Sequence, residues 1–440
     1  MKKLLPLLLV LLSGYATRAE SPADSSSRHR SSIDIGAKLI TRGEYRHGGM
    51  TLDEASLENN DRNNAAFIFA RTRLNLDYTF DRFTIRITPQ YQNIWGQSGG
   101  AGFSLYEGWA QYMGPRGLFF KIGRQELSYD DGRIIGADDW TVLAKSHDLL
   151  KLGYEGRVHK VHTIFAFNQN GEKISGGTYY KDGGEPYKSM QTLWYHYSPS
   201  SFPVGVSLMF MNIGTQQGDE SNYSTKFQQM SGAYLKATPW RLAIEGSYYR
   251  QSGKSEWGID LQSWMASGKV TFTPSSRWSL NVGYDYLSGD TNFIVPGEGD
   301  IGLIQQKKIK GFSPLFGTTH KFYGAMDFFY VQTYYSSFTP GLQNLYFGGT
   351  WSPSPKLELT ASYHHFSTAT LLENVGRNLG DEVELTAGWQ FHQMGRLNLG
   401  YTFMKGQDAM KNLKRTEGSS RLNWLWLMLS VTPHFLNKNW

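Results

Sequence analysis

The stretch LFFKIGRQELSYDDGRIIGADDW, Leu118–Trp140, decides how the rest of the chain is read. It opens as a β-strand: Phe119, Phe120 and Ile122 surround a single charge, Lys121, and Gly123 lets the backbone pass close to a neighbour. Arg124, Gln125 and Glu126 follow at once, ahead of a loop carrying Arg133 and the acid pair Asp138 and Asp139. An apolar strand running straight into a dense polar cluster suits a wall with lipid on one side and a wet, charged space on the other.

The N-terminus supports an exported protein. Lys2 and Lys3 precede a short apolar core, Leu4–Leu12, and Ala16-Thr17-Arg18-Ala19 offers a cleavage site after Ala19. Nine apolar residues are too few to span a bilayer, so residues 1–19 read as a signal peptide and 20–440 as one mature domain. No Cys is present, which excludes disulfides and lipoprotein attachment. No later apolar run reaches the roughly 20 residues of a spanning helix, so a helical membrane protein is excluded. Aromatics make up 15% of the chain and Gly is abundant at 48, yet mean hydropathy is only −0.44; an outer-membrane barrel with an apolar outside, a polar lumen and aromatic girdles has this balance. Removing Lys2, Lys3 and Arg18 takes the formal charge from +6 to +3, which points to no nucleic-acid partner.

Alternation carries the architecture. Ile33, Ile35, Ala37 and Leu39 share one face of a strand, and Asp34, Lys38, Arg42 and Arg46 the other. In Ala65–Phe80 the apolar set alternates with Arg71, Arg73, Asn75 and Asp77, and Arg86 heads the polar side of Phe83–Trp95. Leu118–Tyr129, Asp260–Phe272 and thirteen further segments bring the count to eighteen. Tight gaps at Asp81-Arg82, Gly114–Gly117, Ala237–Trp240, Ser352–Pro355 and His392–Gly395 read as periplasmic turns. Long polar gaps near 47–64, 130–147, 169–189, 214–226, 288–341 and 405–422 read as outer loops. The segment His320–Val331 has strand character, but both termini of such a barrel are periplasmic, which requires an even number. Residues 288–340 therefore form one long outer loop, expected to fold over or into the pore as a lid.

The run GRQELSYDDGRIIGADDW with Asp148, then Glu245, Tyr249 and Gln251, resembles the alginate export family of outer-membrane porins. So do Ser288-Gly289-Asp290, the block FGTTHKFYG from Phe316 to Gly324, and Asp327. The resemblance implies an eighteen-stranded monomeric barrel with an arginine- and lysine-lined lumen, passing an acidic polysaccharide such as alginate, with periplasmic secretion partners. The family's best-known exporters close the periplasmic mouth with a long turn; no periplasmic gap here is that long, which fits a simpler porin for acidic sugars or other anions.

Strand parity places Lys38, Arg42, Arg71, Arg73, Arg86, Lys121, Lys151 and Lys269 in the lumen; the family-like motifs add Arg124, Arg133, Glu245, His320 and Asp327. Parity alone does not turn Arg124 inward unless a bulge resets the register. Arginine forks suit carboxylates, and a positive lumen favours anions where water is squeezed out. The interleaved acids Asp34, Asp77, Glu107, Asp285, Glu358, Glu382 and Glu384 pair with them across strands, so selectivity depends on which cations stay unpaired. Two other classes compete. A plugged structural or adhesion barrel would use Trp109, Trp194 and Tyr249 to narrow the bore. A barrel hydrolase would need a nucleophile with a base, and His147-Asp148, as strand neighbours, face opposite ways. His364-His365 fails as a metal pair for the same reason, and Asp130, Asp131, Asp138 and Asp139 lack calcium-loop spacing, so no metal or cofactor is expected. This reading predicts that Arg71→Glu with Arg73→Glu lowers or reverses anion preference in a barrel that still folds, as a reversal potential reports.

Overall fold

A computed structural model describes residues 30–47, 64–97, 102–181, 183–290, 308–329, 339–371, 376–407, 409–410 and 421–440. The expected signal peptide, 1–19, and parts of the long loop, 291–307 and 330–338, lie outside the described residues.

Eighteen strands close into one antiparallel barrel. They are β1 (Ser31–His47), β2 (Asn64–Phe80), β3 (Phe83–Ile94), β4 (Gly102–Met113), β5 (Leu118–Gln125) and β6 (His147–Glu155). Next come β7 (His159–Phe167), β8 (Ser189–Tyr197), β9 (Val204–Gly218), β10 (Tyr223–Ala237), β11 (Leu242–Gly253) and β12 (Ser263–Ser275). The last are β13 (Trp278–Leu287), β14 (Leu342–Ser354), β15 (Leu357–Ser367), β16 (Asn378–His392), β17 (Gly395–Gly406) and β18 (Arg421–Val431). Each pairs with the next, and β18 returns to β1 in the register Leu39↔Val431 to His47↔Asn423. Closure leaves no row of unpaired backbone groups in lipid. Pro433 has no N–H to give, so the ladder breaks there, Ala37 donates to its carbonyl at 2.9 Å, and pairing resumes over His434–Asn439.

Alternation sorts the side chains as expected. Leu39, Leu74, Ile85, Ile87, Leu118, Phe120 and Ile122 stand exposed on the outside, where lipid would cover them. Exposed aromatics gather beside the short turns: Phe80 and Phe83, Trp240, Trp278 and Trp351, Trp389 and Phe391.

Several boundaries differ from expectation, and three of the differences change how the chain is read. The apolar strand at Leu118 ends at Gln125, not Tyr129, because the chain there turns into the lumen. Residues 214–226 are no long loop: β9 and β10 run 15 residues each and meet at a hairpin in which Asp219 Oδ1 accepts from the Ser221 and Asn222 N–H groups. Asp260-Leu261 leaves the barrel strand and pairs in parallel with Lys308-Ile309, fixing the start of the described part of the long loop. His320–Val331 is no nineteenth strand over its described part, which holds a short 3-10 turn, Thr319–Lys321.

Gly123 has φ +118, and a Cβ there would come within 2.3 Å of the Gly108 carbonyl oxygen. Gly123→Val should cost about 1–3 kcal/mol through backbone strain and overlap, lowering the heat-modifiable folded fraction. Gly268→Ala, with nothing within 4 Å, should fold like wild type.

Candidate pore constriction

Two inward segments narrow the lumen. The inner loop, 126–146, turns inward after β5 with Asp130, Asp138 and Ala144 at positive φ. It meets the segment 308–329 in a strand-like seam: Phe316 N–H donates to the Ile134 carbonyl at 3.0 Å, Gly136 N–H to Phe316 at 3.0 Å, and Thr318 N–H to Gly132 at 2.9 Å. Gly136 is required, since a Cβ there would meet Thr318 Oγ1 at 2.1 Å. Beneath the seam lies an apolar core inside the barrel. Ile134, Ile135, Phe312 and Phe316 from the loops pack with the inward Met190, Met209, Met211, Met230 and Met265 of β8, β9, β10 and β12. Methionine adapts to such irregular gaps.

The arginine wall holds the loop in place. Asp139 accepts from Arg71 Nη2 at 2.8 Å, from Arg73 Nη1 at 2.7 Å and from Lys38 Nζ. Arg71 also donates to the carbonyls of Thr141 (2.8 Å) and Asp139 (3.0 Å), and Arg42 to that of Trp140 at 3.0 Å. The Arg42 guanidinium lies 3.7 Å from the Trp140 ring centre while Glu44 takes its Nε–H at 2.7 Å. Burial opposes ionisation of Asp139, but Arg71, Lys38 and Arg73 outweigh it and hold the carboxyl below its ordinary 3.8.

On the far side Arg133 is clamped by Asp285 (3.0 Å), Asp131 (3.2 Å) and the Tyr323 hydroxyl (3.0 Å). Glu382 accepts from the Ala325 and Met326 N–H groups at 2.6 and 3.3 Å. His320 stacks on Trp140 at 4.0 Å and lies 3.2 Å from Asp327, joining the two loops near Trp424.

Parity therefore placed the arginines correctly, but the expectation that they face solute is corrected. Arg42, Arg71, Arg73 and Arg133 are 5%, 1%, 5% and 4% exposed because they are the loop's anchors. The double reversal Arg71→Glu, Arg73→Glu would thus first release Asp139 and displace the constriction. Arg86 is spoken for by both oxygens of Asp77 (2.7 and 2.8 Å) and by Glu107 (3.3 Å). Arg124 is a second correction: no bulge intervenes, so it keeps the outward parity of Phe120 and Ile122 and pairs with Asp148 at 2.8 Å. Glu245 lines a separate cavity with Tyr234, whose hydroxyl donates to it at 2.6 Å. Lys121 and Lys151 face each other in register between the turn at 114–117 and the inner loop. Among the described residues neither has a carboxylate within 4.0 Å; Lys121 Nζ sits 3.7 Å above the Trp109 ring. The anchoring roles of Trp140, Tyr323 and Glu382 were missed; their partners are too remote in sequence for strand parity to find.

A closed antiparallel barrel with short turns, an apolar belt, and inward loops narrowing a charged lumen is an outer-membrane porin. The family model for alginate export matches residues 102–422, and the chain belongs to that family, in the bacterial outer membrane. No curated protein sequence matches it. Solved structures share the fold. OccK5 (OpdH) of Pseudomonas aeruginosa is 10% identical at a TM-score of 0.60, covering 92% of this chain and 99% of its own. OpdK of the same organism, solved with vanillate, is 10% identical at 0.57, covering 91% and 99%. OccK2 (OpdF), also from P. aeruginosa and solved with glucuronate, is 14% identical at 0.58, covering 91% and 98%.

Asp139→Ala should free the inner loop and raise single-channel conductance and current noise in a planar bilayer. Because the Asp139 pKa is lowered on folding, the stabilisation it gives is complete above the ordinary value of 3.8 and is lost as pH falls through the lowered one. The Asp139 anchor should therefore stay engaged from pH 7 down to about 4, and the conductance rise seen in Asp139→Ala should appear in the wild type only below it.

Proposed function

We propose that the protein is a passive porin for small anionic solutes, acidic sugars and short uronate oligomers among them, and does no chemistry on what it passes. The observation that carries this reading is the Lys121–Lys151 pair: two like charges side by side on the lumen wall, with no carboxylate within 4.0 Å among the described residues. Fixed positive charge in a narrow space of reduced dielectric attracts anions more strongly than it would in bulk water. Vanillate and glucuronate, named with OpdK and OccK2, are both carboxylates, which accords with the reading. Family membership makes alginate fragments natural candidates. The shared apolar core of the two loops favours monomers and short oligomers over the intact polymer. In this reading residues 1–19 direct export and are removed, the described part of the long loop, 308–329, acts as part of the constriction, and the barrel works as a monomer.

The test is the reversal potential of the purified barrel across a potassium chloride gradient. Wild type should be anion-selective, and Lys121→Glu with Lys151→Glu should shift the reversal potential toward cations. A cation-selective wild type, or a double variant with an unchanged reversal potential, would contradict the proposal.

A further inference from the structure

Across the lumen from the arginine wall lies a cavity of about 150 Å³, floored by inward residues of β10 to β15 and roofed by Lys321-Phe322-Tyr323 and the Asp131/Arg133 turn. It is separate from the Asp139 anchor and from the Lys121–Lys151 pair. Its cations differ in state. Arg133 is consumed by Asp285, Asp131 and Tyr323. Lys269 has no carboxylate within 4.0 Å among the described residues, although it stands in register with Glu245 on the next strand. Lys321 spends one N–H on the Asp131 carbonyl at 2.5 Å and makes no ion pair among the described residues.

The acceptors are also half used. Tyr234 and Lys236 both approach Oε1 of Glu245, at 2.6 and 3.6 Å, and Oε2 takes no hydrogen bond from a described residue. The Tyr346 hydroxyl, also on the cavity wall, has no hydrogen-bond partner among the described residues. Phe322 lines the roof, its ring carrying the Arg133 guanidinium 4.2 Å from its centre. Two ammonium groups, a carboxylate oxygen and a hydroxyl line a space of the size that holds one six-membered ring. Such a set suits a ring that carries both a negative charge and several hydroxyls: ammonium for carboxylate, carboxylate for hydroxyl.

We propose that this cavity is a binding site for a single hexuronate-type acid sugar, with Lys269 and Lys321 on its carboxylate and Glu245 and Tyr346 on its hydroxyls. The inference rests on the anionic-solute reading and narrows it to one ring at one place. Selection for the charged ring happens at the lysines opposite the arginine wall, while the arginines hold the inner loop.

The experiment is calorimetric titration of the refolded, heat-modifiable barrel with glucuronate and, separately, glucose. Wild type should bind glucuronate and not glucose. Lys269→Met and Lys321→Met should each weaken glucuronate about tenfold or more, Lys269→Arg should keep most of the affinity, and a uronate disaccharide should bind no tighter than the monomer. Equal binding of glucose, unchanged affinity in Lys269→Met, or no glucuronate binding by wild type would overturn the site. If Lys269→Met fails to refold, Lys321→Met on the roof decides the matter alone. An anion-selective reversal potential alongside any of those failures would leave the porin reading standing without this site; loss of anion selectivity would remove the reading itself.

Discussion

Asp139 is the carboxylate that ties the inner loop to the barrel wall. Three cations from two adjacent strands, Lys38, Arg71 and Arg73, converge on it from the wall. None of the three has another carboxylate partner among the described residues, so without Asp139 they would stand as a block of like charge in a confined space. With it, the charges are partly neutralised and the loop that carries Asp139 is pulled across the bore. Backbone carbonyls at Asp139, Trp140 and Thr141 take further N–H groups of Arg71 and Arg42, so the anchor is a network rather than one ion pair.

That anchor sets what the second loop can do. The seam of Ile134, Gly136 and Gly132 with Phe316 and Thr318 joins the second segment to the anchored inner loop. The methionine-rich core beneath it forms from inward strand residues that would otherwise face water. The lumen is thereby divided. One wall is spent on holding structure, while Lys121, Lys151 and Lys269, which have no carboxylate partner among the described residues, lie below or across from it.

The barrel was legible because its signal is local: side chains alternate with period 2, and turn lengths alternate with sidedness. Eighteen strands, the inward set from Lys38 to Lys151 and the closeness at Gly123 all follow from neighbours in sequence. What alternation could not show is which inward charges are already spoken for. Arg71 meets Asp139 across 68 residues and Arg133 meets Tyr323 across 190, and nothing in either local pattern names the partner. Arg124 shows the reverse: the motif suggested the lumen, the alternation denied it, and the alternation was right because no bulge interrupts β5. At 214–226 polar composition read as a loop, although β9 and β10 simply continue past the membrane to a hairpin around Asp219. Lys321 stood in the motif, but its place opposite Lys269 depends on how the long loop folds.

If the two loops stay packed together inside the barrel while it conducts, locking them to each other should change nothing. The chain contains no Cys, so a pair introduced at Ile135 and Phe316 would be its only thiols. Those residues are bridge partners, at a spacing a disulfide can span. Single-channel current of Ile135→Cys with Phe316→Cys, recorded oxidised and then reduced, is the direct measurement. The cross-link should form readily and conductance should be the same in both states. Failure to form the cross-link in a folded barrel, or current that appears only on reduction, would contradict that packing.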